Sequence, residues 1–293
     1  MALDLLVLRG LGLGDLLTGL PALRALRRAF PRHRLVLAAP EAYRELLGGE
    51  ADAWLDVRGP GPVPMSGCDV AVNLHGRGPE SVAALRATGP RLLIGHTTGP
   101  HTTGPPWNPA AHEVARWCDL LGWYGIAADP ADLRLGAHEG GGPVVVHPGA
   151  AFPARRWPPE RFADVAAALK AEGRPVVITA GPGEADLAAA VAGDLPVLTP
   201  TLPQLADLVR RARLVICGDT GVAHLAAAYG TPSVVLFGPT PPSLWGPPPG
   251  PHRVIWHGRA GDPHGRAPDP GLLEITVTEV LGAARDRLEV SVA

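Results

Sequence analysis

The sequence predicts an α/β protein built as two doubly wound parallel-sheet domains. Three observations carry this expectation. Short apolar runs recur along the 293 residues with room for a helix between them, turn residues end the runs, and a triple-glycine segment divides the series in two.

In the first series, strands are expected over 5–8, 35–39, 54–57, 69–74 and 91–95, alternating with helical stretches that start at Asp15, Glu41 and Pro79. Short runs of Leu, Val and Ile bounded by Gly and Pro suit strands buried on both faces. A loop over 96–109, rich in Gly, Pro and Thr, precedes a helix near 111–123. Loops of that length in compact domains are usually functional or mobile. Glu139-Gly140-Gly141-Gly142-Pro143 reads as the domain boundary, with successive glycines as a hinge. The second series has strands over 144–147, 175–180, 197–198, 214–217 and 233–237. A proline-rich stretch, a weak strand over 254–257, a coil over 258–270 and a last helix over 277–288 follow. The expected division is 1–139, 140–270 and a C-terminal segment 271–293.

Composition narrows the function classes. With 46% hydrophobic and 18% charged residues the chain can bury two cores, and a net charge of -2 gives no general case for nucleic-acid binding. The three cysteines Cys68, Cys118 and Cys217 lie far apart in or beside apolar segments, which fits reduced thiols of a cytoplasmic protein. Asp4, Arg9 and Asp15 interrupt any signal-peptide core, and no uninterrupted membrane-spanning run occurs. The helix over 16–30 carries Arg24, Arg27 and Arg28, followed by Arg32 and Arg34. This is either a solvated face with its charge near a helix C-terminus, or a patch for peripheral contact with anionic lipid or a phosphorylated acceptor.

The richest stretch is Gly218-Asp219-Thr220-Gly221-Val222-Ala223-His224, running on to Gly230-Thr231-Pro232 and then Gly238-Pro239-Thr240. It reads as strand, turn, helix and next parallel strand. Asp219 and Thr220 fall where they can cap the helix while its free N–H groups point at an anion such as phosphate. At the chain's start, a strand leads into Gly10, Gly12 and Gly14, then Asp15 and Pro21-Ala22. At the start of the second half, His147-Pro148-Gly149-Ala150 follows a strand, and Arg155-Arg156-Trp157-Pro158 introduces a helix. A dinucleotide site is the competing reading of the first turn. Its glycines lack the G-x-G-x-x-G spacing, and Asp15 would set a negative charge beside the pyrophosphate.

Taken together, the Asp-Thr-Gly turn with His224, the Gly14-Asp15 and Pro21-Ala22 pairs, and Arg155 two positions before Trp157-Pro158 resemble the heptosyltransferase family of glycosyltransferases, family 9. Arg155 stands where lysine is usual in the best-known members; a guanidinium fork can keep a phosphate contact with altered geometry. The resemblance implies the GT-B architecture, two Rossmann-like domains facing across a cleft, with the last helix packing back on the first domain. It implies an inverting, metal-independent transferase moving a sugar, a heptose in the first instance, from an ADP-sugar. The acceptor would be a hydroxyl of a lipopolysaccharide-type glycan or a small molecule.

In that scheme Asp15 is the general base. Arg155 and the helix start at Thr220-Gly221 bind the diphosphate, Asp219 and His224 orient the donor, and Glu184 after Gly181-Pro182-Gly183 contacts the ribose. Gly14, Gly149 and Ala150 follow strands and would line the same cleft. No metal site is expected, since Asp-x-Asp is missing and His96, His101, His112, His252, His257 and His264 form no ligand motif. No cofactor is expected beyond the nucleotide-sugar co-substrate, and the protein is read as a cytoplasmic monomer, with peripheral contact at the inner membrane face left open. A nucleotide- or NAD-binding module without transferase chemistry is the alternative of another class.

Overall fold

The computed structural model describes residues 3–99 and 103–290, so His101 lies outside the described residues. The chain divides into two compact units between Leu133 and Arg134. The first contains β1 (Asp4–Leu8), α1 (Leu13–Thr18), α2 (Leu20–Ala29), β2 (Arg34–Ala39), α3 (Arg44–Leu47), β3 (Ala53–Asp56), β4 (Val70–Asn73), α4 (Glu80–Ala87), β5 (Leu92–Ile94) and α5 (Glu113–Trp123). Its five strands are all parallel in the order β3-β2-β1-β4-β5. Central β1 is sealed on both faces, Leu5 to Leu8 being fully buried, which is why it reads as a continuous apolar run.

The single helix expected over 16–30 is two helices. Gly19 stands between α1 and α2, and Pro21 opens α2. Proline has no N–H to bond the carbonyl four residues back, so the first helix must stop, whereas the first turn of the second accepts it.

The second unit contains β6 (Val144–His147), α6 (Pro159–Ala171), β7 (Val176–Thr179), α7 (Ala185–Ala192), β8 (Val197–Leu198), α8 (Leu202–Arg211), β9 (Leu214–Gly218), α9 (Gly221–Tyr229), β10 (Ser233–Leu236), α10 (Pro242–Trp245), β11 (His252–Ile255), α11 (Pro270–Leu273) and α12 (Val277–Val290). Its six parallel strands run β8-β7-β6-β9-β10-β11. Each sheet therefore follows the Rossmann order 3-2-1-4-5, with its topological switch between the first and fourth strands.

Val144 and Val146 of β6 pack in one core with Ile178, Leu214, Ile216, Val234 and Leu236, covered by Trp157, Phe162 and Val165. The Trp157 indole donates to the Ile275 carbonyl at 3.1 Å. Val280, Ala284 and Leu288 of α12 belong to this same core. That corrects the expectation that the last helix packs on the first domain: its apolar stripe is consumed by α6 and by β9, β10 and β11. α8 was not expected from the sequence. Its signal is a capping box, in which the Thr201 N–H donates to Gln204 Oε1 at 2.9 Å.

The glycine run lies inside the second unit. Leu135 N–H donates to Ala228, Glu139 to Arg210 and Gly142 to Arg211, so the backbone from 135 onward is already tied to the second sheet's helices. The units divide ahead of the glycines for that reason.

Candidate functional site

At the switch point of the second sheet, β9 ends at Gly218 and the chain turns through Asp219 and Thr220 into α9. Asp219 is 4% exposed. Burial pushes its carboxyl up, and the Arg155 charge and the Thr240 side chain hold it back in part. Arg155 Nη1 stands 3.7 Å from Asp219 Oδ2 and donates to the Asp219 carbonyl at 3.4 Å. The residue before is glycine for a local reason: a Cβ at Gly218 would lie 3.0 Å from the Arg155 carbonyl.

The expected cap differs. Thr220 occupies the N-cap of α9 with extended backbone, but its side chain caps nothing, and the Asp219 carboxyl is engaged with Arg155 and Thr240 instead. The helix thus begins without a side-chain cap beside a guanidinium whose buried Nε has no protein partner. N–H groups at a helix start and an arginine fork are the donors an anionic oxygen takes. His224, one turn into α9, is half-buried and meets Trp245 edge-on, ring centroids 5.8 Å apart.

Beside this, β6 ends at His147 and runs into Gly149 and Ala150, while β7 leads to Gly181 and Glu184. Glu184 Oε2 accepts from the Gly181 N–H at 2.8 Å, and the carboxylate fills the space that a Gly149 side chain would need. His147 Nε2 is 3.8 Å from Glu184 Oε2, and its Nδ1 is 3.1 Å from Thr179 Oγ1. Burial keeps this imidazole below the ordinary histidine range, against the pull of Glu184. Arg156 Nε donates to the Ala150 carbonyl at 2.9 Å, fixing the turn between Gly149 and Arg155. The structure therefore brings Gly149, Ala150, Arg155, Glu184, Asp219, Thr220, Gly221 and His224 to the carboxyl ends of three adjacent strands, β7, β6 and β9.

Gly14 and Asp15 belong to the first unit, in the first turn of α1 after β1. The Asp15 carbonyl accepts from Thr18 Oγ1 at 2.8 Å and from Gly19 N–H at 3.2 Å. Tyr43, hydrogen-bonded at the Leu13 backbone, is pushed up by burial and then by the neighbouring Asp15 charge.

Sequence reading missed Arg9, which ends β1 at 2% exposure and donates to the Asp15 carbonyl. A charged residue closing an otherwise apolar strand was the available signal. His112 also proves structural: its ring accepts from the Val114 N–H at 3.3 Å as the N-cap of α5.

Arg24, Arg27 and Arg28 each meet a carboxylate: Glu50 and Asp132, Asp52, and Asp132 respectively. Among the described residues no group of three metal-ligating side chains occurs, and no helix is long and apolar enough to cross a membrane.

Two Rossmann-ordered units, the second gathering a basic residue, an uncapped helix start and two carboxylates at its switch point, define an α/β protein of the GT-B class. Residues 127–267 match glycosyltransferase family 9 (heptosyltransferase), a segment that holds every residue of the second unit's switch-point cluster named above.

A lipopolysaccharide heptosyltransferase 3 of Escherichia coli is 38% identical over 113 residues, 36% of this chain and 33% of that protein. The match thus spans about a third of the length of that curated relative. A solved glycosyltransferase family 9 structure from Veillonella parvula DSM 2008 superposes with a TM-score of 0.81 at 22% identity, covering 99% of each chain. The E. coli heptosyltransferase WaaC with ADP superposes with a TM-score of 0.72 at 19% identity, covering 97% of this chain and 100% of that one. Both structures share the fold.

Proposed function

We propose that the protein is an inverting glycosyltransferase that moves a sugar, a heptose in the first instance, from an ADP-activated donor to an acceptor hydroxyl. The acceptor is a lipopolysaccharide-type glycan or a small molecule, and transfer proceeds by single displacement without a metal. The observation that carries this reading is the pairing of Arg155 with the uncapped start of α9 at the end of β9, inside the family 9 segment.

Cleavage of a sugar–diphosphate bond leaves negative charge on the departing ADP. Arg155 offers a guanidinium with an unpartnered buried Nε, and the α9 start adds N–H groups of positive partial charge. Asp219 sets the position of Arg155 and, with His224, orients the donor. Glu184, fixed by the Gly181 N–H, is an acceptor of fixed geometry for ribose hydroxyls. Asp15 takes the acceptor's proton as the carbon–oxygen bond forms. The ADP carried by the structurally similar WaaC protein supports adenine as the donor base.

Calorimetric titration with ADP, UDP, GDP and NAD, each with and without chelator, tests the assignment. Selective ADP binding that survives chelation and disappears in Asp219→Ala is the expected result. Preference for UDP or GDP would remove the ADP-heptose assignment, binding of NAD alone would favour the dinucleotide module, and loss on chelation would overturn metal independence.

A further inference from the structure

Arg9 carries a charge out of water at the end of β1, where an unpaired ion would be costly and a fully hydrogen-bonded one is tolerated. Each of its three nitrogens is engaged. Nη2 donates to Thr18 Oγ1 at 3.0 Å and to Glu113 Oε1 at 3.1 Å, Nη1 to the Leu74 carbonyl, and Nε to the Asp15 carbonyl. The guanidinium also lies over the Trp117 ring, 4.9 Å from its centroid.

Glu113, from the start of α5, is held in turn. Trp117 Nε1 donates to Oε1 at 2.8 Å and Arg116 Nε to Oε2 at 3.1 Å. Burial pushes the Glu113 carboxyl up, but the Arg9 charge, the bonds from Arg9 and Trp117, and the Arg116 charge outweigh it and hold the group below the usual range. The network therefore joins two parts of the chain 104 residues apart and ends on the peptide that carries Asp15.

α1 needs such an anchor. Six residues are too few for a helix to hold its own shape in water, and Gly12 at its N-cap has no side chain to bond the first turn. The Asp15 carbonyl instead receives Arg9 Nε, Thr18 Oγ1 and the Gly19 N–H. Gly19 keeps the route open: a Cβ there would stand 2.9 Å from both Cδ and Nε of Arg9.

We propose that Arg9, braced by Glu113, is the positioning residue for Asp15: it pins the Asp15 peptide and so fixes the direction in which the carboxylate leaves α1. The inference rests on the transferase reading for its catalytic consequence, while the anchoring itself concerns only the first unit. An arginine is required, because the task takes donors in several directions from one planar group, which a lysine ammonium on a flexible stem cannot reproduce.

The test compares wild type, Arg9→Lys, Glu113→Gln, Gly19→Ala and Asp15→Asn as full-length proteins. Three readouts are amide hydrogen exchange, ADP affinity, and turnover of ADP-heptose with heptose-free lipopolysaccharide as the acceptor probe. Arg9→Lys and Glu113→Gln are expected to lose at least tenfold exchange protection over residues 13–19, with the β1 and β4 amides and ADP affinity unchanged. kcat should fall roughly a hundredfold in Arg9→Lys at nearly constant donor KM, the range for a misplaced proton acceptor. Gly19→Ala, which keeps both charges, should follow the same pattern and covers the case in which Arg9→Lys fails to fold. Unchanged protection over 13–19, or a loss spread evenly over the first unit, would overturn the anchoring. If Asp15→Asn turned over normally, the base assignment alone would fall, and exchange would still decide whether Arg9 holds that turn.

Discussion

The carboxylate of Glu184 occupies the space directly over the Cα of Gly149, so the turn after β6 and the turn after β7 are built as one surface. Gly149→Ala must therefore push Glu184 aside and break its 2.8 Å bond from the Gly181 N–H. Lost hydrogen bonds to a charged group cost about 1.5–3 kcal/mol. We expect ADP affinity to fall roughly tenfold or more in Gly149→Ala, with Glu184→Gln losing no more. Calorimetry on both variants checks this, and an unchanged Kd in Gly149→Ala would detach Glu184 from the nucleotide.

Arg155 and Asp219 form a pair in which one partner is nearly sealed and the other keeps some exposure, side chains 6% and 22% accessible. Arg155→Ala is expected to lower kcat/KM about 100-fold to 1000-fold, the range for removing a preorganised donor. Arg155→Lys should recover part of this through charge alone.

The same substitution has a stability signature. Asp219 is already pushed up by burial, with Arg155 opposing. Without Arg155 its folded-state pKa rises further above the unfolded value. The folded form then binds more protons, and stability falls as pH increases through that window. Relative to wild type, Arg155→Ala should therefore lose more stability at pH 7 than at pH 5 by denaturant midpoint, and adding Asp219→Asn should remove that excess.

Much of the geometry of the proposed donor side was legible in the sequence because it is local. Gly218 to His224 lie on one strand–turn–helix unit, and parallel strands buried on both faces advertise themselves as apolar runs. What stayed hidden depends on distant partners. Arg9 read only as a charge breaking a signal-peptide core, because Glu113 lies far along the chain. The last helix displayed an apolar stripe, but a stripe says that one face is buried and not which sheet buries it. The break at Gly19 was legible in Pro21, and α8 in Thr201 and Gln204; both were overshadowed in a chain with 37 glycines and 34 prolines, where turn residues discriminate poorly.

The arginine face of α2 illustrates the same limit. Arg24, Arg27 and Arg28 read either as a solvated face or as a contact patch, and Glu50, Asp52 and Asp132 lie 2.5–2.9 Å from them. Three carboxylates against three guanidiniums leave little field at the surface, and exposed pairs of this kind are worth about 0–1 kcal/mol each. Binding to anionic phosphatidylserine vesicles should therefore be weak at 0.15 M salt, a condition at which exposed charges are screened beyond roughly 8 Å. Arg27→Glu/Arg28→Glu should not change it; a clear loss of sedimentation with vesicles in that variant would restore the lipid-contact reading.

Two histidines give each unit its own acid response. His96 in the first unit is lowered to about 4 by burial and then by Arg116, against Glu113. His252 in the second is lowered to about 4 by burial and by Arg134 and Arg287. Both start from 6.5 when unfolded. Between pH 6.5 and 4 the unfolded state binds protons that the folded state refuses, so stability rises with pH across that window and is lost as pH falls through it. From pH 7 to pH 5 each site should remove on the order of 1–2 kcal/mol from its own unit. His96→Gln should flatten the pH dependence of the first unit and His252→Gln that of the second, followed by hydrogen exchange of the β1 and β9 amides at the two pH values. A drop at pH 5 as large in both variants as in wild type would move the acid sensitivity to other groups.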